Sequence, residues 1–235
     1  MTGADLAISG LCKAYGRNAV LKGVDLAFSA GRVGALVGPN GAGKTTLFRI
    51  AAGLQRADAG RVRAEEVLYF GGFDVLPLRG TVNELRRSLG LEDARRLGER
   101  KMKRLSRGDL QRTGLDAALA ARRGTLLLDE PWTALEPDAR DELSAQLRAR
   151  ADEGTTIVVS SHDLDEVARL ANDIAFLRDG RVVSKRREEM GEDGFDRARL
   201  MSLFRGEGAV RGGEQSSSRS SSSPRSRPSD LARSS

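Results

Sequence analysis

The sequence predicts an α/β fold in which a largely parallel sheet is flanked by helices. Two observations support this prediction. Residues 125–128 and 155–160 are short apolar runs with the composition of buried strands. Between them, residues 138–151 repeat apolar side chains at helical spacing. Alternation of strand and helix is typical of parallel sheets, because the chain must return to the same end of the sheet before each new strand.

The first seventy residues are predicted to supply several strands. They are expected at residues 6–11, 24–28 and 35–37, with a further short strand pair at residues 61–70. A turn at residues 15–18 separates the first two strands, and the polar residues Glu65 and Glu66 interrupt the last pair. An amphipathic helix is expected to begin near Lys44.

The middle of the chain is predicted to form a helical lobe over about residues 82–121. Thr81 can cap a helix that begins at Val82, because Glu84 three positions later completes a capping-box pattern. Residues 91–104 are dense in arginine and acid, which indicates a solvated helical segment rather than core. A second helix of the lobe is expected at residues 110–121.

The remainder returns to alternating elements and then changes composition. Beyond the strands and helix already named, a helix is expected at residues 164–170, and a hairpin at residues 174–177 and 181–184 around Asp179 and Gly180. We expect one folded domain over residues 1–204 and a disordered Ser/Arg/Pro-rich tail over residues 205–235.

Composition excludes several classes of protein. The 235 residues contain one cysteine, Cys12, so no internal disulfide is expected. No apolar run approaches the ~18 residues of a membrane span, and the first residues lack a basic signal-peptide start, so a cytoplasmic protein is expected. The net charge is +6, but four arginines and one aspartate in residues 215–235 supply +3 of it. The remaining balance is too mild to indicate nucleic-acid binding.

A glycine-rich loop between an apolar run and an amphipathic segment is the clearest functional pattern. Its residues are Gly38, Pro39, Asn40, Gly41, Ala42, Gly43, Lys44, Thr45 and Thr46. Glycines let the backbone N–H groups surround an anion, and the following helix points the positive end of its dipole at the same place. Lys44 can reach the β- and γ-phosphates, and the Thr45 hydroxyl suits a nucleotide-bound Mg²⁺. The loop predicts a nucleoside triphosphate site.

Three polar residues follow buried strands on the expected ligand edge of the sheet. Asp129 can hold Mg²⁺ through water, and Glu130 can polarise the attacking water. His162, the only histidine, could contact the γ-phosphate and orient that water. The alternatives are two acids that simply begin a surface loop and a histidine with a structural role.

The ordered motifs resemble the ATP-binding cassette subunit of ABC transporters over about residues 6–184. The motifs are Tyr15, the phosphate loop at residues 38–46, residues 105–109 (Leu-Ser-Arg-Gly-Asp) at the place of the L-S-G-G-Q signature, Asp129 with Glu130, residues 134–137 at the D-loop, and His162. The spacing from Asp109 to Asp129 is that of the family. The resemblance implies a P-loop cassette fold with an N-terminal antiparallel β subdomain.

The same resemblance implies partners and roles. Tyr15 would stack on adenine, and Ser106 with Gly108 would bind the γ-phosphate of ATP held by a second cassette, in a homodimer or a heterodimer. ATP and Mg²⁺ are the implied cofactors. A separate membrane-spanning subunit would hold this chain at the inner face of the cell membrane.

Several positions depart from the family pattern. Gly72 stands where the Q-loop glutamine is expected, and Arg107 and Asp109 replace a glycine and the glutamine of the signature. Glu136 replaces the D-loop aspartate. The segment at residues 82–104 is also shorter than the usual helical lobe by one to two helices.

These features leave alternatives open beside a transporter ATPase. A degenerate cassette would bind ATP and regulate a partner with little turnover. A soluble cassette ATPase of DNA repair or translation is a third reading, although the chain has one cassette and no long heptad run. The segment at residues 130–135 resembles haem-exporter cassettes, which favours export.

Overall fold

The computed structural model describes residues 6–72, 76–94, 97–190 and 195–205. The strands are β1 Leu6–Tyr15, β2 Asn18–Phe28, β3 Val33–Val37, β4 Ala59–Arg63, β5 Val67–Phe70, β6 Thr125–Asp129, β7 Thr156–Ser161, β8 Asp173–Arg178 and β9 Arg181–Arg186. The helices are α1 Lys44–Ala51, α2 Val82–Ser88, α3 Arg107–Ala120, α4 Pro137–Asp152, α5 Leu164–Leu170 and α6 Arg197–Arg205, with 3₁₀ turns at Met102–Arg104 and Arg187–Met190. The predicted tail, apart from residue 205, lies outside the described residues.

The strands form two sheets. A six-stranded sheet has the order β5-β6-β7-β3-β8-β9, in which only the pairing of β8 with β9 is antiparallel. A three-stranded antiparallel sheet has the order β2-β1-β4. The predicted α/β fold and antiparallel subdomain are confirmed. The two short strands predicted at residues 61–70, with their break at Glu65 and Glu66, are present as β4 and β5. They do not pair with each other: β4 pairs with β1 and β5 pairs with β6, because the turn at Glu65 and Glu66 passes the chain from one sheet to the other.

The core lies on both faces of the six-stranded sheet. Alternate residues of β6 divide between the faces, with Leu126 and Leu128 packed beneath α3, α4 and α5, and Leu127 packed beside α1 and the three-stranded sheet. Burial on both faces explains why these strands read as continuous apolar runs.

Sheet register brings the predicted site residues to one edge. β3 lies in the centre, with Val37 opposite Ser161 of β7, and Asp129 of β6 opposite Ser160. The loops that follow β3, β6 and β7 therefore leave the sheet side by side, at the carboxyl ends of parallel strands.

The helical lobe differs from its prediction. Among the described residues of 91–104, the only helix is the 3₁₀ turn Met102–Arg104, and Met102 is fully buried. Met102 packs with Val82, Leu105 and Leu110 in a small core of its own. The charged side chains that the structure describes in this segment are exposed, and one of them, Asp93, pairs with Arg87 of α2, while a few irregularly spaced apolar residues close this core. The predicted capping box of Thr81 and Glu84 is confirmed.

Within the described ranges, no helix has both the length and the apolar character needed to cross a membrane.

The lobe core generates a stability prediction. Met102→Ala should lower the free energy of unfolding by about 2–5 kcal/mol, because it removes a fully buried side chain from a four-residue core. Urea unfolding followed by circular dichroism measures the change. The matched control is Lys103→Ala at the exposed neighbouring position, expected within about 0.5 kcal/mol of the wild type. Equal effects of the two variants would contradict a separate lobe core.

Candidate nucleotide-binding site

The phosphate loop connects the central strand β3 to α1. Gly43 is the N-cap of α1 with φ 105°, a conformation that only glycine adopts without strain. Gly38 is buried, and a Cβ there would lie 2.4 Å from the Leu177 carbonyl oxygen of β8. The Ala42 N–H donates to the Pro39 carbonyl at 3.1 Å, which closes the turn, while Asn40 is exposed. The predicted loop followed by a helix is present.

Lys44 is buried at the base of the loop. Its Nζ donates to the Gly38 carbonyl at 2.7 Å and to the Pro39 carbonyl at 3.4 Å. It also lies 3.8 Å from the Glu130 carboxylate. The lysine thus holds the loop closed and presents its charge beside the acid that follows β6.

Asp129 is the hydrogen-bonding centre of the site. Its Oδ2 accepts from the Thr45 hydroxyl at 2.6 Å and from the Tyr69 hydroxyl at 3.2 Å. Its Oδ1 accepts from the Ser160 hydroxyl. Three hydroxyl donors on α1, β5 and β7 therefore fix the orientation of one carboxylate.

Glu130 and His162 contact each other. Glu130 Oε2 lies 2.9 Å from His162 Nδ1, and since an ionised carboxylate can only accept, the imidazole donates from Nδ1. The Glu130 backbone has φ 50°, an unusual value outside glycine, and its N–H donates to the carbonyl oxygen and the hydroxyl of Ser160 at 3.2 and 3.1 Å. This conformation turns the side chain toward Lys44 and His162.

Tyr15 lies at the end of β1, close to α1. Its hydroxyl is 3.5 Å from the Thr46 hydroxyl and accepts from the Gln55 amide, while its side chain is half-exposed. The bonds to Thr46 and Gln55 lower the pKa of Tyr15. The exposed ring is available for stacking at the side of the loop.

The signature residues begin α3. Ser106 is the N-cap, and its hydroxyl accepts from the Asp109 N–H at 3.1 Å and donates to the Asp109 carboxylate at 2.8 Å. A Cβ at Gly108 would lie 2.8 Å from the Ala134 carbonyl oxygen, so this glycine permits close contact between α3 and the D-loop. Glu136 caps α4 without a side-chain hydrogen bond.

The Q-loop position lies beside a buried amide. Gly72 has φ +93°, so a glutamine there would be strained. The Gln111 side chain of α3 is buried and donates to the Pro131 carbonyl at 2.9 Å, while its Oε1 has no partner in the part of the chain described. A Gly72 Cβ would lie 3.8 Å from that oxygen.

Sequence reasoning missed Tyr69, Ser160 and Gln111. Ser160 stands opposite Asp129 in the strand ladder, so strand-end register was the available signal. Tyr69 is the last residue but one of β5, which neighbours β6, and a hydroxyl near the end of a strand is a weaker signal of the same kind. Gln111 gave no signal, because its partners lie twenty residues away in sequence.

The residues present fit an ATP-bound Mg²⁺. The Thr45 hydroxyl and the Asp129 carboxylate are hard oxygen donors, bonded to each other. The described residues contain no cluster of three or more metal-ligating side chains. This donor set suits Mg²⁺ that arrives with the phosphates rather than in an all-protein cage.

The fold and the loop define a P-loop nucleotide-binding protein. The sequence model for the ABC transporter family matches residues 21–71. A tungstate uptake system ATP-binding protein from Peptoclostridium acidaminophilum is 34% identical over 212 residues, covering 75% of this chain and 96% of the relative. A daunorubicin/doxorubicin resistance ATP-binding protein from Streptomyces peucetius is 32% identical over 75% of this chain, which spans only 63% of that protein's length.

A solved structure supports the same fold. The dimeric, post-hydrolysis ATP-binding cassette bound to ADP and inorganic phosphate superposes with a TM-score of 0.67 at 24% identity, over 77% of this chain and 98% of the other. The chain therefore belongs to the ABC transporter family, as an ATP-binding cassette subunit with ATPase activity. Subunits of this family work with membrane subunits and dimerise.

The loop geometry predicts loss of binding on removal of Lys44. Lys44→Ala should abolish binding of a fluorescent ATP analogue, because it deletes the buried cation and two hydrogen bonds that brace the loop. Lys103→Ala, which removes an exposed lysine of the lobe, is the control and should bind as the wild type does. Unchanged affinity of Lys44→Ala would show that the loop is not the site.

Proposed function

We propose that this chain binds and hydrolyses ATP to power transport through a separate membrane-spanning subunit, which holds it at the inner face of the cell membrane. The observation that carries the proposal is the position of Glu130, between the buried Lys44 and His162 and next to the Asp129–Thr45 pair. This arrangement supplies a base, a cation and a metal-suited oxygen pair at one edge of the sheet.

Binding follows from the loop. The backbone N–H groups of the loop after Pro39, including those at the start of α1, receive the phosphates, and the Tyr15 ring receives the adenine. Lys44, now 3.8 Å from Glu130, exchanges that carboxylate for the γ-phosphate. Thr45 and Asp129 would hold Mg²⁺, which would neutralise phosphate charge when bound.

Hydrolysis uses the acid and the histidine. Glu130 accepts a proton from a water whose oxygen bonds to the γ-phosphorus, the bond from that phosphorus to the β–γ bridging oxygen breaks, and ADP and phosphate leave. His162 donates to Glu130 from Nδ1, so Nε2 is the nitrogen that faces the nucleotide side, where it can accept a hydrogen bond from the attacking water. The hydrogen bonds from the Glu130 N–H to Ser160 hold the Glu130 carboxylate in place near Lys44.

A second cassette completes the site. In this proposal Ser106 and Gly108 close over ATP on the partner, with the N-terminus of α3 directed at its γ-phosphate. The Asp109 carboxylate, 2.8 Å from the Ser106 hydroxyl, places a negative charge beside that phosphate. This repulsion favours a heterodimer, in which the partner supplies a neutral signature opposite Lys44.

The Asp109 carboxylate also supports a second candidate function, a degenerate cassette that hydrolyses ATP slowly and regulates its partner. The degenerate cassette is disfavoured because the polar contacts of one site join all four expected residues, Lys44, Asp129, Glu130 and His162.

Export, favoured by residues 130–135, stays a prediction, since names among the relatives refer both to uptake and to drug resistance.

The role of Glu130 is tested by Glu130→Gln. We expect unchanged ATP affinity, turnover lowered by about 10²–10⁴-fold, and an ATP-bound dimer that no longer resolves, because the general base is lost while every binding contact remains. Steady-state ATPase assays and size-exclusion chromatography with Mg-ATP measure these effects. Glu65→Gln, at an exposed turn, is the control. Wild-type turnover of the variant refutes the role of Glu130 as base, and a monomer in Mg-ATP refutes closure of the site by a second copy of this chain.

The role of Asp109 is tested by Asp109→Asn in the Glu130→Gln background. Removing the carboxylate charge should strengthen ATP-dependent self-association about tenfold, because repulsion of a phosphate by a nearby anion costs on the order of 1 kcal/mol or more. Sedimentation at several protein concentrations gives the dissociation constant. Asp93→Asn on the same lobe surface is the control. Weaker association of Asp109→Asn would mean that the carboxylate aids closure.

A further inference from the structure

We infer that Tyr69 is a positioning residue for Mg-ATP, holding Asp129 in the place where this chain lacks a Q-loop glutamine. The inference rests on the proposed function, since it concerns the same metal-bearing carboxylate. Tyr69 is not among the residues of the motifs that identify the family.

The contacts around Asp129 show what Tyr69 adds. Asp129 Oδ2 accepts hydrogen bonds from two hydroxyls, that of Thr45 at 2.6 Å and that of Tyr69 at 3.2 Å. Oδ1 accepts a hydrogen bond from the Ser160 hydroxyl. Of these donors, Thr45 has a second task in the proposed function, since its hydroxyl oxygen would also coordinate Mg²⁺. Tyr69 therefore keeps Oδ2 anchored from β5 while Thr45 engages the metal.

The glycines that follow Tyr69 make room for its hydroxyl. A Cβ at Gly71 would lie 2.6 Å from the Tyr69 hydroxyl oxygen and 2.9 Å from Cζ. Gly71 has no left-handed φ, so space rather than backbone conformation accounts for the glycine. Gly72, by contrast, adopts φ +93°, which disfavours any side chain there. The two adjacent glycines thus account both for the absence of a glutamine side chain at residue 72 and for the space that the Tyr69 hydroxyl occupies.

The protonation of Tyr69 is consistent with its role as a donor. Burial, followed by the negative charge of Asp129, raises the pKa of Tyr69, while the nearby Arg49 guanidinium of α1 acts in the opposite direction. The phenol therefore keeps its proton at neutral pH and donates to the carboxylate.

The experiment compares nucleotide affinity with and without Mg²⁺. Tyr69→Phe removes only the hydroxyl, so the affinity for a fluorescent ATP analogue in EDTA should not change. The gain in affinity that Mg²⁺ produces in the wild type should fall about five- to tenfold, as for loss of one hydrogen bond to a charged group. The Mg²⁺ concentration that gives half-maximal ATPase activity should rise by a similar factor.

Two further variants separate positioning from general damage. The methyl group of Gly71→Ala would press against the Tyr69 hydroxyl, so this variant should lower the gain in affinity that Mg²⁺ produces. In the Tyr69→Phe background the same substitution should lower that gain by less, because the hydroxyl oxygen that makes the closest contact is gone. Thr125→Val, which deletes a buried hydroxyl without a hydrogen-bond partner among the described residues, lies at the other end of β6 and should have no effect on the Mg²⁺-dependent gain.

The outcomes of these measurements distinguish failure of the Tyr69 inference from failure of the proposed function. An unchanged Mg²⁺-dependent gain in Tyr69→Phe overturns the inference alone, and so does an equal loss of affinity with and without Mg²⁺, which would indicate a structural defect. Failure of the wild type to bind Mg-ATP at all would instead refute the proposed function, and the inference with it.

Discussion

The hydrogen bond from Thr45 to Asp129 is the contact on which the site depends. It is 2.6 Å long and joins residues 84 positions apart, at the start of α1 and the end of β6. The parallel pairing of β3, β7 and β6 makes this contact possible, because all three strands end at the same edge. Ser160 on the intervening strand bonds both Asp129 and the Glu130 N–H, so the two acids are held from one neighbour.

The loop after β6 has a strained backbone that directs the Glu130 carboxylate, the proposed general base. Glu130 at φ 50° and Ala134 at φ 63° both occupy the left-handed region, at a cost of order 1–3 kcal/mol each. Bonds from the Glu130 N–H to Ser160, and from the buried Gln111 amide to the Pro131 carbonyl, offset that cost. As a result, one carboxylate faces both Lys44 and His162, which lie on different loops.

The two positions where the family pattern has glutamine have changed in different ways. At Gly72 a side chain is absent, the backbone is left-handed, and the hydroxyl of the nearby Tyr69 donates to the Asp129 carboxylate. At Asp109 a neutral amide is replaced by a carboxylate that bonds the Ser106 hydroxyl. The first change preserves hydrogen bonding within the chain's own site, whereas the second adds a negative charge where a partner's phosphate is expected. The hydrogen bonds around Asp129 are therefore kept within the chain, whereas the start of α3 carries a negative charge that the family signature lacks.

The sequence alone determined the elements whose signal is local. Apolar runs, the glycine-lysine loop, the capping box at Thr81 and the turn at Asp179 each depend on neighbouring residues, so the alternating fold and the residues of the phosphate loop were predictable. Tertiary structure alone decided the partners of β4 and β5, the small core around Met102, and the convergence of Tyr69 and Ser160 on Asp129. These depend on which strands pair and on which side chains meet across the sheet, and pairing between distant segments leaves at most a weak pattern in the local sequence.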